Sequence, residues 1–188
     1  MKVITLEAGS KFNTIYTIGY GNRTMDEFIA LLKSYQIEYL VDVRSAPYSR
    51  YNQDFSKAPL TEKLKEAGIS YLFMGEQLGG KPEDQSCYTE GKVDYEKVSQ
   101  TDFYRQGIAR LKVALEKQYR VALMCSELKP ELCHRSKLIG QTLDQQEIEV
   151  RHIDETGALQ TQPEVINRLT DGQLNFFEQP FSSKKRYR

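Results

Sequence analysis

Two of the three cysteines, Cys125 and Cys133, stand in runs that could do chemistry: Cys125-Ser126-Glu127 and Cys133-His134-Arg135. A thiol in the first turn of a helix and beside an arginine is favoured as thiolate, because dipole and guanidinium both stabilise its charge. Cys125 or Cys133 could then serve as nucleophile, sulfur carrier or redox sensor, and a structural thiol pair is the plain alternative. Zinc is a weaker reading. Cys125, Cys133 and either histidine could supply ligands, but neighbours on a helix point about 100° apart, and no short-spacing cysteine pair is present. No metal site is assigned and no cofactor motif is evident. Glu76 and Glu127 are the carboxylates placed to move protons, provided burial raises their pKa. An exposed, solvated glutamate is the commoner fate.

A second group of residues suits an anion. Gly19-Tyr20-Gly21-Asn22 can bring backbone amides to a ligand at a helix N-terminus, although a tight strand-to-helix turn explains the glycines equally well. The run lacks the third glycine of a dinucleotide fingerprint and the lysine of a P-loop. Arg44 and Arg50 flank Ser45-Ala46-Pro47-Tyr48-Ser49, and arginine's planar fork suits phosphate or carboxylate. Arg44 could instead pair with Asp42. Arg135 and His134 could stabilise developing charge. Tyr16, Tyr20, Tyr48 and Tyr71 could stack on a base, though tyrosine near strands usually packs.

Five short runs rich in β-branched and aromatic residues would position these groups: Thr14 to Ile18, Tyr39 to Val43, Ile69 to Phe73, Arg120 to Met124 and Glu149 to Ile153. Helical patterns alternate with them. Thr24 and Glu27 form a capping box ahead of Phe28, Leu31, Leu32 and Tyr35. Pro59 suits the first turn of a second helix that Gly68 ends, and a third runs from about Asp102 to Gln118. Pro130 opens another, with Leu132, Ile139 and Leu143 facing inward. The polar stretch from Gly75 to Val93 reads as a long surface loop. This alternation predicts an α/β fold: a single three-layer domain with a mostly parallel five-stranded sheet and helices on both faces. Residues 1–157 form that domain, and 158–188 an extension, partly helical, with a basic end. In such sheets ligands bind beyond the carboxyl ends of strands. Both histidines and two of the three cysteines lie on this one predicted edge, with Asp154 just after the fifth strand.

Bulk properties exclude several classes. The 26 basic residues balance the 26 acidic ones, so any nucleic-acid contact must be local. Three cysteines make no disulfide framework and suit a reducing compartment. No run approaches a membrane span, and Met1 to Glu7 lacks the apolar stretch of a signal peptide, so cytoplasm is expected and no membrane partner. Oligomeric state is not legible.

With these residues assembled, the chain resembles the bacterial and archaeal family known as domain of unknown function 488. The matching runs are Thr17 to Asn22, Leu40 to Arg50, Gly75 to Gly80, and Leu123 to Glu127 continuing through Pro130 to Arg135; they span about Thr14 to Gly157. The resemblance implies a compact α/β fold and no agreed activity, although some relatives are loosely labelled as nucleic-acid repair proteins. A partial likeness to rhodanese and cysteine-phosphatase folds rests on Leu40 to Arg44, Val121 to Cys125 and Arg135-Ser136. Those families cradle an anion in a short loop, whereas nine residues separate Cys125 from Arg135. That departure weighs against a phosphatase-like Cys125.

The leading expectation is an uncharacterised enzyme that acts hydrolytically on a phosphate-bearing substrate, either a nucleotide or a nucleic-acid base or end. Arg44, Arg50 and the Gly19 to Asn22 turn hold the anion in this reading, and Glu76 or Glu127 moves the proton. Thiol-dependent chemistry at Cys125 or Cys133 is the first alternative. A non-catalytic nucleic-acid-binding module using the arginine loop and the basic Lys184 to Arg188 end is the second.

Overall fold

The computed structural model describes residues 13–170 and 181–187; Met1 to Glu7 and Arg188 lie outside the described residues. A six-stranded sheet runs in the order β3-β2-β6-β1-β7-β8. Its strands are β1 (Thr14–Gly19), β2 (Tyr39–Asp42), β3 (Ser70–Phe73), β6 (Val121–Cys125), β7 (Glu149–Ile153) and β8 (Leu159–Thr161). The five expected from sequence are all present and mutually parallel, and β8 adds antiparallel to β7. The architecture is the expected α/β one, with a sixth strand.

The strands sort their side chains by alternation. On one face Ile18, Leu40, Ala122, Met124 and Ile153 pack against α1 (Met25–Ser34) and α2 (Lys57–Glu66). On the other, Ile15, Val41, Leu123, Cys125 and Val150 meet α5 (Asp102–Glu116) and the helix beyond Cys133. Because β6 is central and covered twice, all five of its residues are buried. The capping box forms as expected: the Glu27 amide donates to Thr24 Oγ1 and the Thr24 amide to Glu27 Oε2. Gly68 ends α2 with a φ of 78°, a conformation that glycine adopts without cost.

Two expectations fail for want of local periodicity. The Gly75 to Val93 stretch is not a structureless loop. It holds α3 (Gly75–Leu78), a 3₁₀ turn (Gln85–Cys87), and the hairpin strands β4 (Tyr88–Thr89) and β5 (Lys92–Asp94). Leu78, Cys87 and Val93 are fully buried, so tertiary packing supplies the apolar face that such short elements cannot advertise. Glu90 and Gly91 turn the hairpin with φ of 50° and 76°. A small sheet β4-β5-β9 then recruits β9 (Ser182–Arg186), which carries most of the basic end. Short α4 (Tyr95–Gln100) leads into α5.

The second failure concerns Pro130. It opens only a 3₁₀ turn, Pro130–Leu132, after which Cys133 is extended (φ −115°, ψ 151°). Leu132 is 39% exposed and does not face the core. The helix proper begins as a π-helical stretch, Arg135–Gly140, and runs on into α6 (Gln141–Asp144), burying Ile139 and Leu143. Beyond residue 157, β8 and α7 (Gln162–Thr170) pack on β7. Among the described residues no helix is long and apolar enough to cross a membrane.

Candidate functional site

The adjacent parallel strands β2, β6 and β1 all end at one edge of the sheet, and the segments leaving them enclose a cavity of about 500 Å³. Tyr20 enters it from the end of β1, Arg44 to Tyr51 from the end of β2, and Cys125 to Glu127 from the end of β6. Cys133, His134 and Lys137 enter from the break before the π-helical stretch, Lys81 from the structured 75–93 segment, and Tyr187 from the end of β9. Among the described residues, the cations Arg44, Arg50, Lys81 and Lys137 and the acid Glu127 line it; Asp42 offsets the Arg44 charge, which leaves three cations against one acid. Such an excess of positive charge within low-dielectric walls favours an anionic ligand.

On the floor lie two sulfurs and an imidazole. Cys125 Sγ and Cys133 Sγ stand 3.8 Å and 3.6 Å from His134 Nδ1. The other ring nitrogen, Nε2, is 2.9 Å from the Val43 carbonyl oxygen, which can only accept. Nε2 therefore carries a proton, and Nδ1 is the ring nitrogen turned to the two sulfurs. The neighbouring Cys133 thiol holds Cys125 well below its usual pKa, helped by His134 and Arg135 against the burial. Cys133 is driven the other way, first by burial and then by the neighbouring Cys125 sulfur. Of the two thiols, Cys125 is the more readily ionised. The expectation that Cys133 and His134 diverge does not hold, because Cys133 is extended and precedes the helix.

The arginine loop is tied down. Arg44 Nε and Nη2 donate to Asp42 Oδ1 and Oδ2 at 2.9 and 2.6 Å, so the structural pairing open to Arg44 from sequence is the one it makes. Its guanidinium also lies over the Tyr20 ring, 5.3 Å from the centroid. Arg50 is exposed at the mouth, with no ion-pair partner among the described residues. Ser45 Oγ accepts from the Lys81 amide at 2.8 Å and joins the two walls. Lys81 Nζ sits over Tyr187, and Lys137 donates to the Ser182 carbonyl. Tyr48 and Tyr51 stand 63% and 97% exposed on the rim. Tyr20 instead stacks on Phe55 in the cavity wall, Tyr16 stacks on Tyr35, and Tyr71 donates to the buried Asp42 carboxylate.

Other expected site residues are committed elsewhere. The amides of Tyr20 and Gly21 donate to the carbonyls of Cys125 and Ser126, extending the β1–β6 pairing, so the Gly19 to Asn22 turn does not present them to an anion. Gly19 is needed for close approach: a Cβ there would lie 1.8 Å from the Glu127 carbonyl oxygen. Asn22 is exposed and does not line the cavity. Arg135 is fully buried and donates to the Glu127 and Leu128 carbonyls, clamping the loop after β6 rather than meeting a ligand. Glu76, on α3, lies outside the cavity lining. His152 is buried between Thr17 and Gln162, each 2.7 Å from a ring nitrogen, and Asp154 caps the turn at Thr156 and Ala158.

Lys81, Lys137, Tyr51 and Tyr187 line the cavity without having been expected from sequence. Lys137 was findable, lying three residues after His134 in the same predicted helix; the others reach the cavity only through long-range packing. Among comparisons with known proteins, the family model described as Domain of unknown function DUF488 matches residues 24–142, more than half of the chain. No curated protein and no solved structure matches.

Proposed function

The chain belongs to the DUF488 family, and we propose from its cavity that it is an enzyme acting by hydrolysis on a phosphate-bearing substrate, a nucleotide or a nucleic-acid base or end. The observation that carries this reading is the meeting of four cations, one carboxylate and the sulfur–imidazole floor in one 500 Å³ cavity. Arg50 and Lys81 hold the phosphate at the mouth, and the Asp42-locked Arg44 forms a rigid wall behind them. The exposed rings of Tyr48 and Tyr51 offer a face to a base. Glu127 is the one carboxylate there to pass a proton between water and leaving group. Water supplies the incoming atoms, so no oxidant or reductant is required.

Binding of inorganic phosphate and of nucleoside monophosphates, measured by titration calorimetry, tests the reading. Removing both Arg50 and Lys81 side chains should weaken binding at least ~10-fold, and binding should fall as salt rises. Glu127→Gln should leave affinity unchanged and lower turnover of a phosphate-ester panel on the order of 100-fold. Absence of millimolar binding by the folded wild-type protein would remove the proposal.

The depressed Cys125 thiol favours a second reading, in which that sulfur is the nucleophile. Stoichiometric alkylation at Cys125, slowed by bound phosphate and located by peptide mass, supports it. Equal labelling of Cys125 and Cys87 argues against it.

A further inference from the structure

We propose that Cys125, Cys133 and His134 are three ligands of a zinc ion whose fourth position opens into the cavity. The inference goes beyond the phosphate reading and stands without it, since it rests on the three side chains alone. Their ligand atoms all lie within 4.8 Å of one another, and all three residues are buried. A tetrahedral zinc with ordinary bond lengths of about 2.3 Å to sulfur and 2.0 Å to nitrogen has S···N edges of about 3.5 Å. The observed separations are 3.6 and 3.8 Å.

Orientation agrees with distance. The Nε2–H···O=C bond to Val43 fixes the tautomer and points Nδ1 at the sulfurs, as an outer-shell carbonyl does for metal-bound histidine. The Arg135 amide approaches Cys133 Sγ at 3.5 Å and helps a thiolate there bear its charge. Gly80 makes room: a Cβ at that position would stand 2.7 Å from His134 Cγ and Nδ1. The extended Cys133 turns its sulfur toward Cys125, which a continuous helix from Pro130 would not allow.

Ligand chemistry selects the ion. Two thiolates and an imidazole suit a soft or borderline cation, and two thiolate charges neutralise a divalent one. Three protein ligands plus an open position are the arrangement of reactive rather than structural zinc sites. All three line the cavity, so the open position faces Glu127 and the cationic mouth. If both proposals hold, water in that position loses a proton more readily than free water does, and hydrolysis obtains its nucleophile there.

The test is metal binding by the full chain, stripped with chelator under reducing conditions and then titrated with Zn(II) or Co(II). One equivalent should bind, with cobalt showing the visible bands of tetrahedral thiolate coordination and a sulfur-to-metal charge-transfer band. Cys125→Ser, Cys133→Ser and His134→Gln should each weaken binding at least ~100-fold. Gly80→Ala should weaken it ~10-fold or more with every ligand retained, and Cys87→Ser should not change it. Circular dichroism separates lost ligands from lost folding; if a serine variant unfolds, the Gly80→Ala measurement and protection of Cys125 and Cys133 from alkylation by zinc decide. No stoichiometric binding by folded, reduced protein, or cobalt bands unchanged in Cys125→Ser, overturns the metal site. Metal binding without phosphate binding retires only the substrate reading, and the converse only the zinc.

Discussion

Asp42→Ala should destabilise the fold by about 3–5 kcal/mol, the range for breaking a buried ion pair from one side. Asp42 is fully buried and its carboxylate takes four hydrogen bonds. Oδ1 accepts from the Arg44 amide at 3.1 Å and from Arg44 Nε at 2.9 Å; Oδ2 accepts from Arg44 Nη2 at 2.6 Å and Tyr71 Oη at 2.8 Å. Burial alone would disfavour the Arg44 charge, yet the carboxylate outweighs it and raises the guanidinium's pKa. Burial and then the Asp42 charge raise Tyr71 as well. Truncation strands a guanidinium that is only 5% exposed and a phenol without its acceptor. Equilibrium urea unfolding of the variant gives the number. The double variant Asp42→Leu with Arg44→Met should recover much of the loss, because removing both charges also removes their desolvation cost. A single-variant loss below about 1 kcal/mol would mean that water, entering from the cavity, repairs the arginine.

The second large effect is acid sensitivity through His152. Burial, aided by the nearby Arg135 charge and opposed by the Gln162 hydrogen bond, lowers its pKa from 6.5 to about 3. Gln162 Oε1 can only accept, so Nε2–H donates to it and Nδ1 accepts from Thr17. The folded ring is neutral and fully satisfied. Below pH 6.5 the unfolded chain takes up a proton that the folded chain refuses until about pH 3. Stability is thus complete above that upper value and falls as pH drops through the window. At 1.36 kcal/mol per unit, the loss reaches roughly 3 kcal/mol by pH 4 and about 5 kcal/mol near pH 3. Unfolding free energies at pH 7 and pH 4 for the wild type and His152→Gln check this, since carboxylate contributions are common to both. The gap between the two proteins should shrink or reverse at the lower pH. A gap that stays constant with pH would show that His152 does not titrate this way.

Features contained in a short window of residues were legible before any fold was known. The capping box of Thr24 and Glu27 needs only four residues, and the unbroken apolar run of β6 announces burial on both faces. Parallel strands all finish at one edge, so the segments leaving β1, β2 and β6 already located the cavity and most of its walls. The choice of hydrogen-bond partners was beyond that reach. Arg44 and Arg135 look alike as arginines near strand ends, yet one borders the cavity and the other is spent on the Glu127 and Leu128 carbonyls. The amides of Tyr20 and Gly21 look like an anion nest until β6 is laid beside them.

Long-range packing placed Lys81 and Tyr187: their amides donate to Ser45 Oγ and to the Gly91 carbonyl, partners far away in the sequence. It also turned adjacent Cys133 and His134 toward one point. On a helix their side chains diverge by geometry; a single extended residue between two helical turns brings them together.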